Sequence, residues 1–524
     1  MKILNEKLGV AYSTTGSKVL DLFAIIGSVS REPTILAMNE VCAKMIDAFE
    51  EDPIKTAVVL FWLRDARNGV GHRELFRILF TTYLTLLNKR SEVHPTSVSN
   101  LTGMVLSLPV YGRFDDLIYV MRNLDGDTVM REIVNNSIDF LAITLNSVIT
   151  DTEPDFSSFT SDSRFNNLVQ MYIDYRPLLG KWLPSINTSS KKTVDLAKWL
   201  VNKLRKSKYL PDNFNGKMYR KLCSKLRKQA DIVEHHITTR HYSDIKYSAV
   251  PSLAHMKYIN AFKDNDGERY DQYLADVRNG NAKINTATLN IVDLVKKTAL
   301  EDNEDCEILW ENLPKIPCNS LVCMDGSGSM YQGSGRITPI DVATALTIYC
   351  AEHNTAFKNQ FITFGSDVQF VTINATTLKG KIDLVRAHDD CGTTNFTAVF
   401  EELLTQAKMY NLSPDQMIKS IIVVSDMQFD SAFDDVDTDG PSVWENIVDM
   451  YEKAGYTPPK MIFWNVSSEP ALPICLDNMN TTITSGWSQN TLKYIMEDKE
   501  ISPMSVLNEV LASPNYSDVY NWFN

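Results

Sequence analysis

No stretch of eighteen apolar residues occurs in the chain, so no membrane-spanning helix is expected from the sequence. The first fifteen residues hold no apolar core and no small-residue cleavage pattern, which makes a cytoplasmic location the expectation. The eight cysteines form no CxxC pair, which argues against a zinc ribbon, a thioredoxin-type motif or a disulfide framework. Several of them sit inside apolar runs and read as buried thiols. Gly-Lys-Ser/Thr is absent, and with it the P-loop. Positive charge is scarce late in the chain. Residues 316–524 carry 11 Lys and Arg against 26 Asp and Glu, a net of −15, whereas residues 1–315 are close to neutral at +2. Halves of such different charge are expected to meet different partners.

What is present belongs to a folded multidomain protein: 524 residues, 44% apolar and 22% charged, room for two to four domains. Residues 1–315 read as helical. Asp52-Pro53 is an N-cap and N1 pair, after which Ile54, Ala57, Val58, Phe61 and Trp62 recur at helical spacing. Gly69 and Gly71 break that helix, and Leu75, Phe76, Leu79, Phe80, Tyr83, Leu84 and Leu87 resume the period. A further break falls around Pro109–Gly112, and residues 192–208, 216–237 and 267–278 are also expected to be helical. Helix–turn–helix pairs in series, without a strict repeat period, suggest an α-solenoid of HEAT or armadillo kind.

Residues 316–524 alternate short apolar strands with helical patterns. Strands are expected at Ser320–Met324, Gln360–Phe364, Val368–Val371, Ser420–Ser425, Met461–Asn465 and Thr481–Thr484. Helices are expected at Pro339–Asn354, Phe396–Tyr410, Ser442–Ala454 and Gln489–Glu497. This is the pattern of a doubly wound α/β sheet, whose ligands bind at the carboxyl ends of the strands.

One such end carries Asp325-Gly326-Ser327-Gly328-Ser329, a carboxylate and two hydroxyls at alternate positions. These are hard oxygen donors, suited to Mg²⁺ or Mn²⁺. Thr394, in a turn that opens a helix, and Asp426, just after another strand, could converge on the same point. A dinucleotide fingerprint fails because position 331 is Tyr331, and a haloacid-dehalogenase aspartate pair fails because position 327 is Ser327. A polar turn capped by Ser329 or Asp325 would look the same in isolation.

The metal reading is strengthened by a resemblance. Asp325-x-Ser327-x-Ser329, Gly392-Thr393-Thr394-Asn395 and Ser425-Asp426 resemble the metal-ion-dependent adhesion site of von Willebrand factor A domains. That resemblance implies Ser327, Ser329 and Thr394 as direct ligands and Asp325 and Asp426 acting through water. Because Mg²⁺ takes about six oxygens, a coordination position is expected to stay open for a partner protein's Asp or Glu. In the first half, Ala11-Tyr12-Ser13-Thr14-Thr15-Gly16, Arg64-Asp65-Ala66-Arg67-Asn68-Gly69-Val70-Gly71-His72-Arg73 and Tyr111-Gly112-Arg113-Phe114-Asp115-Asp116 resemble the helical module of Ro ribonucleoprotein (TROVE) relatives. Residues 250–252 and 260–262 fit as well. They are similar, more closely, to an uncharacterised bacterial and phage family that joins such a module to a von Willebrand A domain. In that family the second motif is richer in glycine and has Glu-Arg where His72-Arg73 stands. The domains implied are 1–315, TROVE-like, and 316–524, von Willebrand A-like. Ro-type relatives bind structured and misfolded non-coding RNA on a ring of HEAT-like helices.

RNA as a partner draws attention to residues 191–228, which hold thirteen Lys and Arg and only two acids. The candidates are Lys203, Arg205, Lys206, Lys208, Lys217, Arg220, Lys221, Lys225, Arg227 and Lys228, with Tyr209, Phe214 and Tyr219 available to stack on bases. Solvated helix faces are the alternative. A second group, Arg64, Arg67, His72, Arg73 and Arg77, reads better as salt bridges tying repeat to repeat. His235, His236 and His241 lack a completing carboxylate pattern, and Asp435, Asp437 and Asp439 fail the EF-hand spacing. The expected function is Ro-like RNA binding. The alternative is a metal-dependent assembly protein, including a structural component of a phage particle. No nucleophile–base pair points to an enzyme.

Overall fold

The computed structural model describes residues 2–4, 10–12, 16–28, 35–90, 96–124, 126–286, 289–301, 304–332, 337–363, 368–388, 396–425, 443–466, 481–485 and 503–523. They form two compact units, each assembled from separated stretches of chain. One comprises residues 1–44 and 247–509, the other 45–246 and 510–524. The expected boundary at residue 315 falls inside the first unit.

The first unit is built on a sheet. Its earliest strands, β1 (Lys2–Leu4) and β2 (Val10–Tyr12), pair antiparallel in a hairpin of their own, so the expectation of helix throughout residues 1–315 is corrected there. Six strands follow: β3 (Ser320–Met324), β4 (Gln360–Thr363), β5 (Gln369–Thr372), β6 (Ser420–Ser425), β7 (Lys460–Asn465) and β8 (Thr481–Ser485), in the order β5-β4-β3-β6-β7-β8. All neighbours are parallel except β5, which runs antiparallel to β4 at the edge. Only five residues separate Thr363 from Gln369, too few for the crossover that a parallel neighbour needs.

The central strands β3 and β6 are buried at every position because both faces are covered, and all but their terminal serines are apolar. Val322, Met324, Ile422 and Val424 enter one core with the Pro339–His353 helix. Leu321, Cys323, Ile421 and Val423 enter the other with Phe400, Leu403 and Tyr451. The Pro339–His353 helix is itself buried nearly all round, since it also packs on the Ile291–Leu300 and Leu378–Arg386 helices. The expected helix at 489–497 lies outside the described residues. Of the cysteines, Cys223, Cys306, Cys318, Cys323 and Cys350 are buried free thiols, as expected.

The Ser252–Arg278 helix bends at Asp266, whose backbone leaves the helical region (φ −152°, ψ 35°) just before Gly267. There Asp266 Oδ2 accepts hydrogen bonds from Tyr247 Oη at 2.6 Å and Arg269 Nε at 2.8 Å. Upstream, His255 is 1% exposed among Phe262, Tyr270 and Tyr273. Its Nε2 meets Tyr270 Oη at 2.8 Å, and Nδ1 has no hydrogen-bond partner among the described residues. Burial, with Lys297 nearby, holds its pKa down at about 4 against an ordinary 6.5. The folded protein therefore keeps His255 neutral where the unfolded chain takes up a proton, and stability should fall as pH drops from 6.5 towards 4. His255 alone accounts for up to about 3 kcal/mol of that loss. Denaturant unfolding at pH 7 and pH 4.5 measures it, and His255→Gln should flatten the slope.

The second unit is helical. Pro53–Arg64 begins where expected, with Asp52 Oδ1 accepting the Lys55 amide at 2.9 Å. It packs on Arg73–Lys89, which packs on Phe114–Leu124. Behind these, Thr128–Thr150 contacts Val98–Leu106, Lys191–Leu204 and Gly216–Gln229. It is long and apolar enough to cross a bilayer, but two-thirds of its apolar window is buried inside the unit, as in a core helix. The helix expected over 216–237 stops at Gln229, and a separate one covers Val233–Thr239. The turn signal Asn215-Gly216 is an N-cap: Asn215 Oδ1 accepts the amides of Lys217 and Met218 at 2.9 and 3.2 Å.

Residues 510–523 complete this unit. Trp522 is 2% exposed, and its Nε1 donates to Ser107 Oγ at 3.2 Å. The indole lies so close to Gly103 that a Cβ there would come within 2.2 Å of it. Tyr516 stacks on Tyr111 at 5.7 Å, and its hydroxyl donates to Asp65 Oδ2 at 3.2 Å.

Candidate functional site

Three sets of residues carry chemistry, and the fold treats them differently. In the sheet, β3 has β4 on one side and β6 on the other, so the chain reverses its winding direction at β3. The crevice beyond the carboxyl ends of β3 and β6 is the usual ligand position in such a sheet. Asp325 stands there. Its amide still bonds Val424 O at 3.0 Å, and its side chain is 8% exposed. Oδ2 accepts from Ser425 Oγ at 2.6 Å and Oδ1 accepts the Ser327 amide at 2.8 Å. Both oxygens are thus fixed by the protein, as suits a carboxylate that orients a neighbour rather than one that swings freely.

The turn Gly328–Tyr331 then brings the Ser327 and Ser329 hydroxyls to 3.0 Å of each other. Two ligands at right angles on an octahedral Mg²⁺ lie about 2.9 Å apart, given bonds of about 2.0–2.1 Å. The hydroxyl pair therefore fits such an ion. Among the described residues no three His, Cys, Asp or Glu side chains converge. Thr394 and Asp426 lie outside the described residues, as do Asp435, Asp437 and Asp439.

In the helical unit, the basic stretch splits in two. Lys225 Nζ is committed to Val148 O at 2.8 Å and Asp151 at 2.6 Å. Arg227 ties down Gly180 O at 2.9 Å and Ser185 Oγ at 2.8 Å. These two hold helices together, and Lys203 is half-buried. Arg205, Lys206, Lys208, Lys217, Arg220, Lys221 and Lys228 are exposed. No acid pairs with any of these seven among the described residues. Lys217, Arg220, Lys221 and Lys228 follow helical spacing along the outer face of Gly216–Gln229, opposite buried Tyr219, Leu222, Cys223 and Leu226.

The expected stacking aromatics are corrected. Phe214 and Tyr219 are core residues at 1% and 0% exposure, and Tyr219 donates to Pro184 O at 2.9 Å. Tyr219 falls at an inward position of the same helical period that points the lysines outward, a signal the sequence already held, whereas Phe214 is buried in the turn before the Asn215 cap. Tyr209 is half-buried, with Lys208 over its ring at 5.1 Å.

The third set is a buried ionic clasp formed by two of the motif segments. Asp116, fully buried, accepts from Arg64 Nε on Oδ2 and from Arg77 Nε on Oδ1, each at 2.8 Å. Oδ2 also accepts the Arg113 amide at 2.9 Å. Arg77 reaches Asp115 as well, at 2.8 Å. Burial opposes the Arg77 charge, but the two aspartates outweigh it and raise its pKa. The loops are laced by Ala66 N to Tyr111 O at 3.0 Å and Arg67 Nη1 to Val110 O at 2.8 Å. Gly112 is required: a Cβ there would lie 2.5 Å from Asp116 Oδ2 and 2.8 Å from Arg64 Nε. Gly69 is likewise pressed against Trp62 O. His72 is a helix cap, its Nδ1 accepting the Leu75 amide at 3.3 Å. Arg64 and Arg77 are thus the inter-helix ties that the sequence suggested. His236 bonds Asp231 at 2.8 Å, and no metal cluster forms around it among the described residues.

Residues 174–315 match a family model described as a domain of unknown function, DUF2828, and residues 319–515 match another, DUF7788. The chain is 27% identical over 530 residues to "Uncharacterized protein L728" of Acanthamoeba polyphaga mimivirus, covering 96% of this chain and 86% of that one. Among solved structures it is similar to the Ro (RSR) protein of Deinococcus radiodurans, at 12% identity and a TM-score of 0.34, over 92% of this chain and 98% of that chain.

Proposed function

We propose that the chain is a Ro-like RNA-binding protein whose helical unit carries structured RNA on its exposed cationic surface. The observation behind this reading is the set of seven exposed Lys and Arg between Arg205 and Lys228 that no acid neutralises among the described residues. Clustered cations of this kind bind phosphate by displacing counterions. The TROVE-like motif segments support the reading, and a HEAT-like architecture for the helical unit belongs to the same proposal.

Filter binding of a structured RNA across a salt series tests it. Reversing Lys206, Lys208, Lys217 and Lys221 to Glu should weaken binding about tenfold to a hundredfold and flatten the salt slope. Unchanged affinity and slope would place RNA elsewhere or nowhere.

The sheet unit, in this proposal, is a von Willebrand A-like domain holding Mg²⁺ or Mn²⁺. Ser327 and Ser329 would be ligands and Asp325 would orient bound water, with Thr394 and Asp426 added by the resemblance. The ion would supply a Lewis-acidic position open to a carboxylate. A second reading follows from this geometry: a partner protein's Asp or Glu completes the site, and the chain acts in assembly. Both readings describe a binding protein rather than an enzyme, working in the cytoplasm or, for the assembly reading, in a phage particle.

For the ion, millimolar Mg²⁺ should raise the melting temperature, and Ser327→Ala with Ser329→Ala should abolish that rise. A parent melt indifferent to Mg²⁺ and Mn²⁺ would remove the ion from the proposal. Pull-down with and without chelator separates the assembly reading from the RNA reading.

A further inference from the structure

One edge of the sheet is open. β5 pairs with β4 and has no strand on its other side among the described residues. Just past the strand, Ile373 N donates to Asn359 O at 2.7 Å. Hydrogen-bonded pairs alternate along an antiparallel ladder, so Val371 and Gln369 also aim their backbone groups at β4. Phe370 and Thr372 therefore turn their N–H and C=O groups outward. No hydrogen bond reaches those groups among the described residues.

Exposed edges are ordinarily guarded by lysine, proline or a bulge. Gln369-Phe370-Val371-Thr372 holds no charge and no proline, and its register with β4 runs without a bulge. β4, Gln360-Phe361-Ile362-Thr363, is uncharged as well. Shortness is the one guard that β5 has. The face on the Phe370 side adds apolar surface. Phe357 lies 5.3 Å from Phe370 and 6.0 Å from Tyr410, ring centre to ring centre. Gln360 Nε2 donates to Thr372 Oγ1 at 3.3 Å and to Tyr410 Oη at 2.9 Å, which holds Tyr410 beside the edge. Tyr410 is nevertheless 43% exposed, and Met409, at the end of the Phe396–Met409 helix, 60%.

We propose that β5 pairs antiparallel with β5 of a second copy of this chain, about a two-fold axis through Val371. The edge is its own complement. In that register Phe370 of each copy stands opposite Thr372 of the other, and every outward N–H meets an outward C=O. Val371 meets its counterpart at the position without hydrogen bonds, on the axis itself. The axis is perpendicular to the sheet, so the Phe370 side of one copy continues into the Phe370 side of the other. Phe370 and Tyr410 of both copies then share one covered face. Charge favours this occupant over a basic foreign strand. Residues 316–524 carry a net of −15, yet β4 and β5 contribute none of it, so the paired strands bring no like charges together and offer a basic strand nothing to bind. A closed two-fold pair is also the commonest form of self-association. With four residues per strand, the pairing is expected to depend on concentration.

Sedimentation velocity of the full chain, without RNA or divalent ion, tests this over about 1 to 100 μM. The parent should pass from monomer to dimer as concentration rises. Thr372→Pro removes an outward donor and takes nothing from the ladder to β4, since proline is tolerated where an edge N–H faces solvent. It should weaken dimerisation about tenfold or more. Thr372→Val loses the same hydroxyl but keeps the donor, and should dimerise as the parent does. Hydrogen exchange needs no variant: the Phe370 and Thr372 amides should exchange more slowly at the high concentration than at the low one. A dimer undiminished in a folded Thr372→Pro overturns the proposal, because the interface then lies elsewhere. A chain that stays monomeric throughout also overturns it. In that event fast exchange at Phe370 and Thr372 leaves the edge to a strand from another protein, and slow exchange shows it covered within one chain.

Discussion

Asp116→Ala is expected to destabilise the protein by about 3–5 kcal/mol, the usual cost of stripping the counter-charge from a buried pair. Arg64 is 2% exposed and Arg77 9%, and each has its Nε on this one carboxylate. Without it, two guanidinium groups face a low-dielectric interior, and the Arg113 amide at the start of the Phe114–Leu124 helix loses its acceptor. The carboxylate is therefore worth far more than an exposed ion pair, whose typical contribution is about 0–1 kcal/mol. Denaturant unfolding of the full chain measures the effect. A loss under about 1 kcal/mol would mean that the clasp is not what joins these helices. A double replacement, Asp116→Leu with Arg64→Met, should recover part of the loss, since well-packed apolar groups often match a buried pair. Gly112→Ala should mimic Asp116→Ala in part, because the added methyl strikes the same two groups.

Trp522→Ala is expected to cost about 3–5 kcal/mol, as truncation of a large buried aromatic does. The indole is edge-on to Phe165 at 5.3 Å and beneath the Arg164 guanidinium at 5.5 Å. Ser107 keeps its own bond to Gly103 O at 2.8 Å, so the loss comes mainly from packing rather than from an orphaned hydroxyl. The Gly103 approach supplies an internal check. Gly103→Ala alone should destabilise by about 1–3 kcal/mol through overpacking. In the Trp522→Ala background the same substitution should be close to neutral, because the cavity accepts the methyl. Additive effects would show that the two residues do not share that contact.

The strands were legible to within a residue or two, because a sheet covered on both faces writes itself as short continuous apolar runs. The Asp52 cap and the Asn215 turn were legible because capping is local chemistry. Asp325, Ser327 and Ser329 were singled out by spacing, and the structure does bring the two hydroxyls together. The β1–β2 hairpin was missed because strands of three residues are too short to show alternation. The antiparallel edge was missed because a strand's direction is carried by its connection, not by its composition. Phe214 and Tyr219 were misread as stacking groups because they were counted by proximity in sequence to the lysines, when helical phase points Tyr219 the other way and Phe214 is buried in the turn before that helix. The Ser107–Trp522 bond joins residues 415 positions apart, and no local pattern announces such a partner.

That last separation bears on how the protein can be made and cut. A ribosome that has released residues 45–246 has not yet supplied the strand of chain that fills the space beside Gly103. The helical unit must wait through the whole sheet-forming stretch with that slot open, so late completion is built into its assembly. Equally, scissors applied at residue 315 yield two fragments that are each incomplete: one without Tyr516 and Trp522, the other without residues 1–44. Expression of either half alone should give an aggregation-prone product, whereas excising 45–246 with a tethered copy of 510–524 respects the way the chain is actually folded.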